Sequence, residues 1–336
     1  MDLDLSLIWA IIILFGIMMY IMMDGFDLGI GILYPFFPEK TDRDVMMNTI
    51  APVWDGNETW LVLGGAGLLA AFPLAYAILL SAFYMPILLM LMALILRGVA
   101  FEFRFKANEL GQHVWDKAFI AGSVAATFFQ GLILGAYIQG IPVKNGTYAG
   151  GPLDWLNPFS IFTALGLLVT YGLLGSTWLI MKTNGPLQIK QYHIARVLAF
   201  LLLAIIIAVS IWTPLLDNDI AQRWFSMPNF LWLSPVPILV AIFFYQLQKT
   251  LLLGKANFQP FLYALGLVFL GYLGLGISIW PNIIPPDISI YAAASPPSSQ
   301  RFALVGTVII IPLILAYTAW GYYVFRGKVK ADDHYH

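Results

Sequence analysis

Cysteine is absent from the 336 residues. That excludes disulfides, a thiolate metal site and a cysteine nucleophile, and leaves the redox compartment unmarked. Charge is scarce as well: Asp, Glu, Lys and Arg together make up 10% of the chain, against 60% hydrophobic residues. A water-soluble domain of this length needs far more charge to cover its surface. Histidine occurs four times, and never in the middle of a long apolar run. His113 and His193 fall beside predicted helix ends, and His334 and His336 in a C-terminal tail. A haem held between membrane helices needs an axial His, or Cys, Met or Tyr in its place. Met18, Met19, Met22, Met23, Met85, Met90 and Met92 read as packing residues. The chain by itself is therefore expected to bind no haem and no metal.

What the sequence does have is apolar runs of about 18 residues or more, the length a helix needs to cross hydrocarbon. They do not alternate, which excludes a β-barrel. The runs predict an all-α integral membrane protein with about nine transmembrane helices, 1–336 forming one polytopic domain. The spans fall at Ser6–Leu33, Val45–Phe72, Leu74–Leu96, Trp115–Ile138, Pro158–Met181, Ile194–Trp212, Pro235–Leu253, Phe258–Trp280 and Phe302–Phe325. Proline and glycine punctuate them, as at Phe72-Pro73, Asn157-Pro158 and Trp280-Pro281. Asp2 and Asp4 precede the first run without a basic residue, unlike a cleaved signal peptide, so that run is expected to stay in the mature protein.

An odd number of spans places the termini on opposite sides. Fourteen of the seventeen basic residues then fall on one side, among them Lys40, Arg43, Arg97, Arg104, Lys182, Lys190 and Lys328. Only Lys144, Arg223 and Arg301 fall on the other. The positive-inside rule makes the first side cytoplasmic, with the N-terminus outside and the C-terminus inside. Trp115, Trp155, Trp212, Trp224, Trp232 and Trp280 lie near span boundaries, as an interfacial belt would. The segment 217–233 mixes aromatic with polar residues and is expected to lie along the outer surface.

Carboxylates inside a bilayer are costly, and so informative. Asp24 and Asp27 lie in Asp24-Gly25-Phe26-Asp27-Leu28-Gly29, towards the inner end of the first span. Asp55 and Glu58 lie in Trp54-Asp55-Gly56-Asn57-Glu58-Thr59-Trp60, within the second. Each pair has i, i+3 spacing, which puts both members on one helix face. Asp55 is expected about ten residues into its helix, ~15 Å along the axis. Carboxylates buried at such depth exchange protons close to neutral pH. Pro52 is expected to remove a helical hydrogen bond and free the Asn48 carbonyl for water. Gly25, Gly29 and Gly31 let a neighbouring helix approach closely. A series of carboxylates leading in from the cytoplasm suits a proton path; helix capping and ion pairing at the inner interface are the structural alternative. Arg97 and Glu102, in Arg97-Gly98-Val99-Ala100-Phe101-Glu102-Phe103-Arg104, are placed to pair with these acids, whereas Arg104 and Lys106 read as snorkelling anchors. Asn145-Gly146-Thr147 matches a glycosylation pattern that arises often by chance.

These motifs carry a resemblance. The segments around Asp24-Gly25-Phe26-Asp27, Trp54-Asp55-Gly56-Asn57-Glu58-Thr59-Trp60-Leu61 and Arg97–Arg104, with Tyr317-Thr318-Ala319-Trp320 before a basic tail, resemble subunit II of the cytochrome bd-type quinol oxidases. The compact outer loops and Ser295-Pro296-Pro297-Ser298-Ser299-Gln300 look more like the cyanide-insensitive branch. The resemblance implies a bacterial inner-membrane heterodimer with a larger subunit I that carries haems b and d and oxidises quinol. The complex would reduce oxygen to water with protons drawn from the cytoplasm. The family's acidic residue on the proton path maps by motif onto Asp55, beside Trp54. Some members have Gln at the position of Glu58, so Glu58 is not implied to be shared machinery. Asn57 and Arg97 are expected in support. A small single-helix accessory subunit and a quinone held as a structural lipid occur in some members, and no motif here places either. No nucleic-acid partner is expected.

Without the resemblance, intramembrane carboxylates in Pro- and Gly-interrupted spans suit a proton-coupled secondary transporter. Against that reading, the charged motifs cluster in the first third of the chain, with no counterpart in the second half. A non-catalytic subunit that only braces a partner is the third class.

Overall fold

A computed structural model describes residues 4–255 and 257–330; Asp2, His334 and His336 lie outside the described residues. In chain order the helices are α1 (Leu5–Leu33), α2 (Lys40–Asn48), α3 (Trp54–Ala71), α4 (Pro73–Arg104), α5 (Glu109–Gln139) and α6 (Pro158–Lys182). They continue as α7 (Gly185–Leu216), α8 (Asn218–Phe225), α9 (Asn229–Leu233), α10 (Pro235–Leu253), α11 (Gln259–Ile279) and α12 (Pro297–Val324). Two hairpins of very short strands, β1–β2 (Val143–Lys144, Thr147–Tyr148) and β3–β4 (Asn282–Ile284, Ile288–Ser289), close the α5–α6 and α11–α12 connections.

Helix starts follow local chemistry. The Asp4 side chain accepts from the Leu7 N–H, and Asn108 from Gly111. Asn157 and Ser160 form a reciprocal capping box at α6, with Pro158 in the first turn where its missing N–H costs nothing. Asn145-Gly146 forms the tip of the first hairpin, with φ of 52° and 74°. That is the left-handed pair a two-residue hairpin turn requires.

Eight segments among the described residues are long and apolar enough to cross a membrane: Leu5–Phe36, α4, α5, α6, α7, Asn229–Leu253, α11 and α12. Most expected spans are recovered with extra turns, because helices run on past the hydrocarbon where backbone hydrogen bonds still favour them. The second is not recovered as one piece. Val45–Phe72 breaks into α2 and α3 around a turn at Thr49–Val53, where Val53 N–H and Trp54 N–H both return to the Ile50 carbonyl. Pro52 sits in that turn and not inside a helix, so it disrupts no helical ladder. Asp55 accordingly lies in the first turn of α3 and is exposed, not ten residues deep. There a carboxylate is favoured by the helix N-terminal dipole. The 18-residue α3 runs antiparallel to α1: Asn57 meets Met23 and Asp27, Gly64 faces Ile17, and Gly67 faces Ile13 and Trp9.

One half of the core gathers α1, α4, α5 and α6 around Phe26, Phe101, Phe119 and Trp178, and the other half packs Trp9, Phe72 and Trp155. Close approach of α1 and α6 depends on Gly29, where a Cβ would overlap the Tyr171 carbonyl, and on Gly175 opposite it. Helix α12 lies on the outside of the bundle; Gln300 is its one buried residue. It is pinned at one end by Trp9, whose indole N–H donates to the Gln300 carbonyl at 3.1 Å. At the other end the Lys328 ammonium donates to the Thr183 carbonyl (2.9 Å), Asn184 (2.8 Å) and Asn257 (3.0 Å), and Lys182 donates to the Phe325 carbonyl. Arg43, Arg104, Lys182 and Lys328 cluster at one end of the bundle, and the hairpin with Lys144 and the connection with Arg223 at the other.

Candidate functional site

The site forms where the C-terminal halves of α1 and α4 meet the N-terminal turns of α3. Arg97 on α4 is 2% exposed and reaches two helices at once. Its Nη1 donates to Asp24 Oδ1 on α1 at 2.5 Å, and its Nη2 to Glu58 Oε2 on α3 at 2.8 Å. Gly122 of α5 packs on the α4 backbone at Ala93 and Arg97; a Cβ there would stand 2.8 Å from the Arg97 nitrogen. This contact fixes where the arginine emerges. The guanidinium lies 5.9 Å from the Trp54 ring, so Trp54 caps the ion pair on one side.

Asp27 has a different environment. It is fully buried, and its Oδ2 accepts from Asn57 Nδ2 at 2.7 Å. The Asn57 carbonyl oxygen in turn accepts from the Tyr322 hydroxyl of α12 at 2.8 Å. One turn before Asp24 on α1, the Tyr20 hydroxyl accepts from Gln130 Nε2 at 2.7 Å, and Tyr171 donates to Gln130 Oε1 at 3.0 Å. Among the described residues, Asp24 Oδ2, Asp27 Oδ1 and Arg97 Nε have no hydrogen-bond partner. Buried polar atoms left so are rare, and they mark places where water or a proton is accommodated. Two carboxylates, Asp24 and Glu58, therefore share one guanidinium, and the buried Asp27 carboxyl lies one turn along α1 from Asp24. Full ionisation of all three would leave uncompensated buried charge, so the cluster is chemically suited to hold and pass protons.

Of the residues singled out by sequence, Asp24, Asp27, Glu58, Asn57, Trp54 and Arg97 come together. Asp55 stands one turn from Glu58, on the exposed side of α3. Glu102 is not brought in: it is exposed on α4, because five residues on from Arg97 the helix has turned it away from α1. Arg104 is not a snorkelling anchor either. At 1% exposure it bonds Asp116 on α5 (2.5 Å) and Asp44 on α2 (2.7 Å), and Asp116 also takes Arg43 at 2.9 Å. This second network straps α2 across α4 and α5. Asp116 carries a legible signal, an acid at the start of an apolar run; Tyr20, Gln130, Tyr171 and Tyr322 carry none, since single polar residues in apolar helices are common.

The bundle and its acid–arginine cluster define a multi-pass membrane protein with an internal polar cluster. The family model for cytochrome bd terminal oxidase subunit II matches residues 5–325, and the chain belongs to that family. It is thus one subunit of a membrane-bound oxidoreductase complex of the bacterial inner membrane. It is 29% identical to "Cytochrome bd-I ubiquinol oxidase subunit 2" of Escherichia coli K12, over 98% of this chain and 96% of that one. It is 26% identical to "Cytochrome bd ubiquinol oxidase subunit 2" of Bacillus subtilis 168, over 97% of both. A chain of the bd oxidase from Geobacillus thermodenitrificans has the same fold, with a TM-score of 0.74 over 96% of this chain and 99% of that one, at 17% identity. Family membership removes the transporter reading.

Proposed function

We propose that this chain is the subunit II of a quinol:oxygen oxidoreductase that braces a haem-bearing subunit I and helps deliver cytoplasmic protons to it. Each electron passed from quinol to oxygen must be matched by a proton before water can leave. The observation that carries this reading is the set formed by buried Asp24 and Asp27 and half-buried Glu58 beside Arg97, extended towards the inner end of the bundle by Asp55. Asp55, exposed on α3, would face lipid if nothing covered it, which is costly; we assign that face to subunit I. We count α3 as the ninth span, since it runs alongside α1. With the basic residues gathered at the Lys328 end, we place that end in the cytoplasm and Asp4 outside.

The histidines among the described residues do not fit a haem held within this chain: His113 in the second turn of α5 and His193 in the third turn of α7 are both exposed. Haems b and d are accordingly placed in subunit I, where they supply electron transfer and oxygen reduction. An accessory single-helix subunit and a structural quinone remain features of some relatives, and the cyanide-insensitive branch rests on the Ser295–Gln300 motif. The test is oxygen consumption per haem by the purified complex carrying Asp24→Asn or Asp27→Asn. A fall of an order of magnitude with haem content unchanged supports the reading; full turnover by both variants overturns it.

A further inference from the structure

Asp27 sits inside a closed circuit of side chains, and its last link comes from the C-terminal helix. Phe26, its neighbour on α1, stacks on Trp178 of α6 with ring centroids 4.1 Å apart. The Tyr322 ring meets Trp178 edge-on at 6.1 Å. The Tyr322 hydroxyl then donates to Asn57 Oδ1, and Asn57 Nδ2 donates to Asp27 Oδ2. The circuit runs Phe26, Trp178, Tyr322, Asn57, Asp27 and back along the chain to Phe26. Helix α12 lies outside the bundle, yet it is held by the Lys182 and Lys328 clamp within two turns of Tyr322.

The Asn57 amide has one donor end and one acceptor end. Asn57 is 1% exposed, so no solvent is at hand to satisfy whichever end is left over. A phenol hydroxyl donating to Oδ1 commits the amide to present its N–H groups to Asp27. It also polarises the amide, because linked hydrogen bonds strengthen one another. We propose that Tyr322 is a positioning residue of the proton relay: from the last helix it fixes the Asn57 amide, and through it the Asp27 carboxyl. This rests on the reading of the acid cluster given above.

The test uses the assembled oxidase, with turnover expressed per haem. Tyr322→Phe keeps the ring against Trp178 and removes only the hydroxyl. Expected are unchanged haem content, turnover lowered threefold or more, and a displaced pH profile of turnover, which a merely packing role would not move. In an Asn57→Ala background Tyr322→Phe should add no further loss, since both act through one hydrogen bond. Should Tyr322→Phe lower assembly, a fluorinated tyrosine placed at 322 keeps ring and hydroxyl but changes the acidity of the donor; a displaced pH profile then supports the role and an unmoved one refutes it. Wild-type turnover and pH profile for Tyr322→Phe while Asp27→Asn is slow would overturn this inference alone. Wild-type behaviour of both would overturn the relay reading with it.

Discussion

Arg97 and Asp24 meet at 2.5 Å, 73 residues apart in the chain, with side chains 2% and 0% exposed. Such a pair lives by its partner. Water is too remote to take over either charge, so removing one member leaves the other stranded. Arg97→Ala should destabilise the subunit by about 3–5 kcal/mol, the usual loss on breaking a buried pair. Arg97→Lys should recover little, because one ammonium does not reproduce a fork that serves Asp24 and Glu58 at once. Thermal unfolding of the purified complex, followed by its haem absorbance, checks both.

Asp55→Asn is expected to leave assembly and haem content near wild type, since Asp55 is exposed at a helix start and takes no part in the Arg97 ion pairs. Turnover should fall by an order of magnitude if Asp55 admits protons to the cluster, and Asp55→Glu should retain part of it. Oxygen uptake per haem, in detergent and in liposomes, decides. Full turnover by the Asn variant would leave Asp55 as a helix-dipole partner only.

Asp116 holds two arginines from two other helices. Asp116→Ala should cost about 3–5 kcal/mol, because Arg43 and Arg104 would lose their shared anion and α2 its strap. Cleavage at the α1–α2 connection by an added protease should rise in parallel. A variant as resistant as wild type would show that the strap contributes nothing.

Gly29→Ala tests the approach of α1 to α6. A Cβ there would collide with the Tyr171 carbonyl, and backbone cannot move aside as a side-chain tip can. A loss of at least about 1–3 kcal/mol is expected, the usual cost of overpacking. Gly65→Ala, where a Cβ meets open space, should be close to neutral in the same melting assay.

Because the chain has no cysteine, single cysteines report its topology without background. Thr147→Cys, next to the tip of the first hairpin and exposed, should react with a membrane-impermeant thiol reagent in intact cells. Gln188→Cys, beside the Lys328 clamp, should react only after lysis. The reverse pattern would invert the orientation.

Sequence alone determined that the chain is a helical membrane bundle, because 60% apolar residues in long unbroken runs have no other stable arrangement in or out of water. It also picked out Asp24, Asp27 and Glu58, since a charge amid such runs is costly enough to need a reason. Tertiary structure decided their partners. In a helix that is apolar all round, lipid-facing and core-facing sides look alike, so periodicity does not say that Arg97 turns inward and Glu102 outward. Nor does a hydropathy run reveal that the chain stops at Thr49–Val53 and starts α3 afresh, which brings Asp55 from mid-helix to a helix start. Tyr322 meets Asn57 across 265 residues. That contact is set by where α12 docks, which depends on clamps at its ends and on no pattern within it.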